Sequence, residues 1–219
     1  MRAFSLHEGE LRLGLADVGA DLAPTVQELG FERRGALWVR SFPGDAPHAA
    51  AAGERFEACA EAMVRQAAGL QPVPWAEALA LVVEREEAED CWLVGSAALA
   101  VRGLGVAPRD LDLIATAAGC DRLADALADV LVEPPADGGF LGERWFRAFA
   151  GARIECVGGV HGSLDAEEPT DFGPYAAARL ETVDWNGHTL RVPPLELQLR
   201  AAERRGLDER AQRIREAMG

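Results

Sequence analysis

The chain has 219 residues, 49% of them apolar and 26% charged, with a formal net charge of −14. That composition excludes wholesale disorder, and no apolar run reaches the roughly 18 residues that a membrane-spanning helix needs. The length suits one good-sized domain with an appendage, or two small ones. The opening Met1-Arg2-Ala3-Phe4-Ser5-Leu6-His7-Glu8 turns acidic before a signal-peptide core could form, so a cytoplasmic protein with no membrane partner is expected. Cys59, Cys91, Cys120 and Cys156 lie about thirty residues apart with no close pair, and read as small buried apolar residues rather than zinc ligands or disulfides. All 22 basic residues are arginines, so any phosphate contact that a lysine would make falls to arginine here.

In chain order, Leu11 to Leu29 is read as helical from scattered periodicity, and Phe31 to Phe42 as a short hairpin turning near Arg34-Gly35. A helix from about Gly53 to Ala68 carries Phe56, Cys59 and Met63 on one face. Gln71-Pro72-Val73-Pro74 breaks the pattern and sets the expected boundary. Residues 1–73 then form an N-terminal, mostly helical region with a short hairpin, and residues 74–219 a domain of alternating helix and strand.

Within that domain, Trp75 to Glu87 is expected to be a helix, Cys91 to Val94 a buried strand, Ala97 to Arg102 a helix and Leu111 to Ala115 a strand. Asp121 to Leu131 has the spacing of an amphipathic helix. Arg144 to Ala150 and Ala152 to Val157 read as adjacent strands joined at Gly151. Thr182 to Val192 reads as a hairpin around Asn186-Gly187, and a helix starts near Leu195 with a break at Gly206. Trp145, Phe146 and Phe149 are assigned to the core, and the charged stretch Glu203 to Glu216 to an exposed helical face. His161 and His188 are read as incidental loop residues. Gly103-Leu104-Gly105 is no dinucleotide loop, because it follows a helix and Pro108 replaces the third glycine.

The chemistry concentrates in Trp92-Leu93-Val94-Gly95-Ser96 and, after thirteen intervening residues, Asp110-Leu111-Asp112-Leu113. A buried strand ending in Gly-Ser and running into a helix leaves backbone N–H groups free to meet phosphate, and glycine lets the backbone approach closely. Strand side chains repeat with period two, so Asp110 and Asp112 project from one face while Leu111 and Leu113 face the core. Two neighbouring carboxylates repel each other, and a divalent cation is their natural compensation. Either fragment alone is ordinarily a plain turn or a solvated strand face; the spacing of the two together points to a site.

These residues resemble the signature of the DNA polymerase β-type nucleotidyltransferase superfamily: a hydrophobic strand, Gly-Gly or Gly-Ser, a helix of about ten residues, then acid-hydrophobic-acid-hydrophobic. The resemblance covers roughly residues 74 to 215. Its later part includes Val192-Pro193-Pro194-Leu195-Glu196-Leu197, which is similar to the strand-to-helix entry of antitoxin-paired and antibiotic-resistance members. It implies an α/β nucleotidyltransferase fold with a central mixed sheet flanked by helices. It further implies Mg²⁺ held by Asp110, Asp112 and a third acid, Glu155 in Arg153-Ile154-Glu155-Cys156-Val157, where an aspartate is commoner. An NTP, with ATP the expected donor, would meet Gly95 and Ser96, with Arg102 or Arg109 balancing pyrophosphate charge. Family members often carry lysines in the helices that follow; Arg200, Arg204 or Arg205 would have to substitute.

The activity so implied is transfer of a nucleoside monophosphate from an NTP to a hydroxyl on a small molecule or protein. The alternatives are a catalytically silent relative that binds a nucleotide or a partner protein, and an RNA-modifying toxin. The acidic balance disfavours tight nucleic-acid binding, because a backbone-gripping surface is usually basic. Arg102, Arg109 and Arg153 are expected to supply most of the positive potential near the site.

Overall fold

The computed structural model describes residues 1–7, 9–85 and 91–219. The chain divides into two compact units. One comprises Met1–Glu86, Arg122–Ala136 and Phe146–Ile154, the other Glu87–Asp121, Asp137–Trp145 and Glu155–Gly219. The boundary expected near residue 74 thus falls inside the first unit. The proline-rich breaker there is a turn between two helices, fastened by Gln66, whose Nε2 donates to the carbonyls of Pro72 (3.2 Å) and Gly151 (2.7 Å).

The first unit opens with strands β1 (Arg2–His7) and β2 (Glu10–Ala16), helix α1 (Ala23–Glu28), and strands β3 (Glu32–Arg34) and β4 (Leu37–Pro43). Helices α2 (Ala49–Ala67) and α3 (Trp75–Arg85) follow. The four strands make an antiparallel sheet in the order β1-β2-β4-β3. The expected hairpin is its β3–β4 corner. The helical reading of Leu11 to Leu29 is corrected: only Ala23–Glu28 is helix. Leu11, Leu13 and Leu15 are all buried at alternate positions, which is the period of a strand. To the helices expected in this region the structure therefore adds a four-stranded sheet. Helix α2 starts at Ala49, four residues before the expected point, because alanines extend a helix readily. It buries Phe56, Cys59, Ala60 and Met63 as one face and packs on β1 and β2.

Onward from residue 91 come β5 (Cys91–Val94), α4 (Gly95–Val101), β6 (Leu111–Ala115) and α5 (Ala117–Ala126). The strands β7 (Leu131–Ala136), β8 (Gly142–Phe149) and β9 (Arg153–Val160) follow. After them come a short helix α6 (Pro174–Ala177), the hairpin β10 (Glu181–Trp185) and β11 (His188–Val192), and helices α7 (Leu195–Arg204) and α8 (Asp208–Met218). β5 to β9 form one sheet in the order β5-β6-β9-β8-β7. Residues 86 and 87 of the helix expected up to Glu87 lie outside the described residues. Helix α5 begins four residues before Asp121 and gives way to a 3-10 turn at Ala128–Val130. Asn186 and Gly187 both take positive φ, 52° and 83°, as the tight hairpin turn requires. His188 belongs to β11 rather than to a loop.

In the second unit, Leu99, Ala202, Ala211 and Ile214 form a core that seats α7 and α8 against α4. Gly206, with φ +62°, makes the turn between those two helices. Among the described residues, no helix is long and apolar enough to cross a membrane.

Candidate functional site

Gly95 and Ser96 stand where β5 ends and α4 begins. Val94 lies opposite Asp112 in the antiparallel β5–β6 register, so the Gly-Ser step is brought beside the acidic strand. Gly95 has φ +62°, and a methyl group there would sit 3.1 Å from Asp112 Oδ2. Only glycine both takes that backbone conformation at low cost and leaves the carboxylate its space. The buried Gln198 of α7 reaches the Gly95 carbonyl through Nε2 at 3.4 Å. Leu111 and Leu113 are buried and the alternation of β6 turns Asp112 the other way, whereas Asp110, expected on the same strand, lies in the bend just before it.

Gly95, Ser96, Arg109, Asp110 and Asp112 line one cleft of about 890 Å³. Its other lining comes from the α7–α8 corner, including Arg205, Arg210 and Arg213. Arg210 is lowered from its ordinary pKa by burial and by the neighbouring Arg205 charge, while Asp110, Asp112 and Asp171 act in the opposite sense. The corner carries a correction: part of the stretch Glu203 to Glu216, expected as a merely exposed helical face, lines the cleft. Arg205 was one of the sequence candidates; Arg210 and Arg213 were not. A helix face turned to a polar cleft and one turned to bulk water have the same composition, so periodicity alone cannot separate them.

Arg102 is not part of the cleft lining. Its Nη2 bonds Glu181 at 2.5 Å and the Pro193 carbonyl at 3.0 Å, tying α4 to the β10–β11 hairpin and the entry of α7. Arg204 pairs with Glu168 at 3.4 Å. His161 bonds the Gly139 carbonyl.

Glu155 shares the sheet face of Asp112. Trp92, Val94 and Ile114 form an apolar cluster on that face, Val157 packs against it, and Glu155 lies two residues from Val157 on β9. The opposite face of β9 meets α5: a methyl group on Gly158 would lie 2.5 Å from Cys120 Cβ. Glu155 does not, however, line the cleft of Asp110 and Asp112. Among the described residues, no three His, Cys, Asp or Glu side chains gather closely enough to hold a metal ion by themselves. Mg²⁺ does not need such a cage, since it keeps several waters and is commonly held by one or two carboxylates together with substrate phosphates. The pair Asp110 and Asp112, with open space left by Gly95 beside Asp112 Oδ2, fits that requirement.

No family model matches the chain, and neither does any curated protein. Among solved structures, a provisionally assigned nucleotidyltransferase from Thermotoga maritima is similar with a TM-score of 0.50 at 18% identity, over 65% of this chain and 91% of its own. ANT(2″)-Ia, solved in complex with adenylyl-2″-tobramycin, is similar with a TM-score of 0.41 at 19% identity, over 66% of this chain and 87% of its own. With the β5–α4–β6 arrangement in place, the chain shares its fold with the Thermotoga maritima nucleotidyltransferase.

Proposed function

We propose that the protein transfers a nucleoside monophosphate from an NTP, with ATP the expected donor, to a hydroxyl group on a small molecule or protein. The observation that carries this reading is a single cleft that joins Asp110 and Asp112 to Gly95 and Ser96 on one side and to arginines on the other. Asp110 and Asp112 would hold Mg²⁺, which when bound would neutralise phosphate charge and lower the pKa of the attacking hydroxyl. Gly95 admits the phosphate chain close to the backbone, and Ser96 offers a hydroxyl donor. Arg109 and the α7–α8 arginines balance the charge that develops on the leaving pyrophosphate. The acceptor oxygen forms a bond to the α-phosphorus as the bond to pyrophosphate breaks. Glu155, on the Asp112 face, is the carboxylate that the family resemblance assigns to take the acceptor proton.

A second reading is a nucleotide-binding relative without turnover, favoured by the lack of a three-carboxylate cluster among the described residues. Pyrophosphate release from an NTP panel in the presence of Mg²⁺, with mass spectrometry of the protein and of candidate hydroxyl acceptors, separates the two. Release that disappears in Asp112→Asn supports the enzyme. Saturable Mg²⁺–NTP binding without release from any pairing supports the silent relative. The net charge of −14 favours a cationic small molecule or a protein over RNA as acceptor. Submicromolar, salt-sensitive RNA binding in a filter assay would reverse that preference.

A further inference from the structure

The Gly103-Leu104-Gly105 stretch, which is no dinucleotide loop, takes no part in the reading above, yet it builds part of the cleft wall. Gly103 closes α4. It has φ +79°, its N–H donates to the Ala100 carbonyl at 2.9 Å, and the Leu104 N–H reaches back to the Leu99 carbonyl at 3.2 Å. A helix end closed by that pair of bonds turns the residue after the glycine back onto the helix. Leu104 follows the rule and packs, with Val106, against the core of Leu99, Ala211 and Ile214. Gly105 lies between those two anchors with φ +67°, and Gly105, Val106 and Ala107 line the cleft.

Helix α8 supplies another part of the wall. Ala211 and Ile214 are buried, so Arg210 and Arg213, one position before each, share the neighbouring face of the helix, and both line the cleft. Arg210 is half-buried and Arg213 exposed. Arg213 reaches across to the loop. Its Nη1 donates to the Leu104 carbonyl at 3.5 Å, and a methyl group on Gly105 would come within 2.9 Å of the same nitrogen. A bond of that length is weak, and it uses one of the five donors that a guanidinium carries. Two other arginines of this corner are committed to carboxylates: Arg204 pairs with Glu168 at 3.4 Å and Arg215 with Glu203 at 2.5 Å.

We propose that Gly103-Leu104-Gly105 is a seat for Arg213, that Arg213 so seated is a polyphosphate contact of the cleft, and that Gly105 is its positioning residue. The Leu104 carbonyl holds one edge of the guanidinium without neutralising it, because a carbonyl carries no net charge. Gly105 leaves room for the guanidinium against the backbone; a side chain there would push it off the carbonyl. The planar fork keeps its full charge for phosphate oxygens, which it meets in pairs. A long side chain that is already seated also has less rotamer freedom to lose when a ligand binds. The inference rests on the reading of the cleft as a phosphate site. It adds the stretch of backbone that places one of the arginines there.

Inorganic tripolyphosphate with Mg²⁺ is titrated by calorimetry into the wild-type protein, Arg213→Ala, Gly105→Ala and the double variant, and the thermal midpoint of each is recorded. The seat predicts that Arg213→Ala weakens tripolyphosphate binding about tenfold, the worth of one charged hydrogen-bonding contact. Its midpoint should move by less than about two degrees, since one long bond is all that the fold loses. Gly105→Ala should weaken binding about fivefold when Arg213 is present and less than about twofold when it is absent, because the two residues act as a unit. The midpoint of Gly105→Ala falls in both backgrounds, as a methyl group strains left-handed backbone whatever faces it. If that variant fails to fold, Gly105→Asn, which tolerates the conformation better, is taken through the same cycle. An Arg213→Ala protein with a lower midpoint and unchanged binding makes the arginine a brace between loop and helix, and overturns the inference. So does Gly105→Ala with wild-type binding, or with an equal loss in both backgrounds. All three leave the cleft reading intact. Wild-type protein that does not bind tripolyphosphate overturns the cleft reading and this inference with it.

Discussion

The two units use the same charged residue types in opposite ways. In the first, Glu133 on β7 is fully buried between Arg147, which bonds its Oε1, and Arg40, whose Nε forms an ion pair with Oε2 at 3.1 Å. Both guanidiniums also donate to the Leu29 carbonyl, at 2.6 Å from Arg40 and 3.2 Å from Arg147. In the second, Asp110 and Asp112 and the arginines of the α7–α8 corner are spread around an open cleft of about 890 Å³. Charges that close on one another inside a core serve architecture, because each one's desolvation is offset by its partner. Charges spread around open space leave that space for a third body. Mutating one acid in each unit should therefore change different observables, with opposite signs on stability.

The largest effect is expected for Asp112→Asn. If the open arrangement serves metal and phosphate, Mg²⁺-dependent pyrophosphate release should fall about a thousandfold or more, an effect of about 4 kcal/mol on the barrier. Stability should hold or rise slightly, because one of two like charges is gone. Wild-type turnover in the Asp110→Asn, Asp112→Asn double variant would remove the site assignment. The matched change in the closed arrangement, Glu133→Gln, leaves two guanidiniums facing a neutral amide. Urea unfolding should show a loss of about 3 kcal/mol, with little change in nucleotide binding by the folded protein. A stability loss in Asp112→Asn as large as that in Glu133→Gln would erase the contrast.

Gly95→Ala probes the junction between backbone and acid. A methyl group at φ +62° is strained, and it would press within 3.1 Å of Asp112 Oδ2. The two costs together should come to about 1–2 kcal/mol of stability, with metal affinity reduced because the carboxylate must move. Arg102→Gln is expected to do less to ligand binding. Its guanidinium is committed to Glu181 and the Pro193 carbonyl, so KM for the NTP should change less than about twofold while the melting midpoint falls by a few degrees. A large rise in KM with an unchanged midpoint would return Arg102 to the phosphate role that its sequence position suggested.

How much of this was legible in the sequence depends on whether local pattern and tertiary role coincide. Cys91 to Val94 and Leu111 to Ala115 match the observed strands because short apolar runs ending in Gly95, or preceded by Pro108 and alternating acids, admit little else. The Asn186-Gly187 turn was equally plain. The N-terminal sheet was lost because the strand alternation of Leu11, Leu13 and Leu15 runs straight into the spacing of Leu22, Val26 and Leu29, and the two periods blur in one window. β1, with its half-exposed residues, lies at the edge of its sheet and offers no periodic face. The acidic half of the cleft, Asp110 and Asp112, is local in sequence. Its arginine wall comes from a corner about a hundred residues later, assembled by helix packing around Ala202, Ala211 and Ile214, and no local pattern marks that.

The smallest predicted effect tests the loop that carries Asp171 by pH. Burial works against the Asp165 charge, yet the Tyr175 N–H and the Thr170 hydroxyl and N–H outweigh it and hold the carboxyl below the ordinary aspartate range. A depressed folded pKa means the stabilisation is present above the unfolded aspartate value and is lost as pH falls through the lower folded one. Asp171 has the reverse sign: burial first, against its arginines, raises its pKa. Its contribution is favourable below the unfolded value and is lost as pH rises through the folded one. The two acids, six residues apart, should thus tilt the stability curve in opposite directions on either side of the ordinary aspartate range. Thermal midpoints between about pH 3 and pH 6 should show Asp165→Asn flattening the acid limb and Asp171→Asn removing a decline on the other side. The shifts will be small, because solvent screens the partly exposed Asp165. If Asp165→Asn leaves the acid limb unchanged, the hydrogen bonds from Thr170 and Tyr175 do not stabilise the ionised carboxylate.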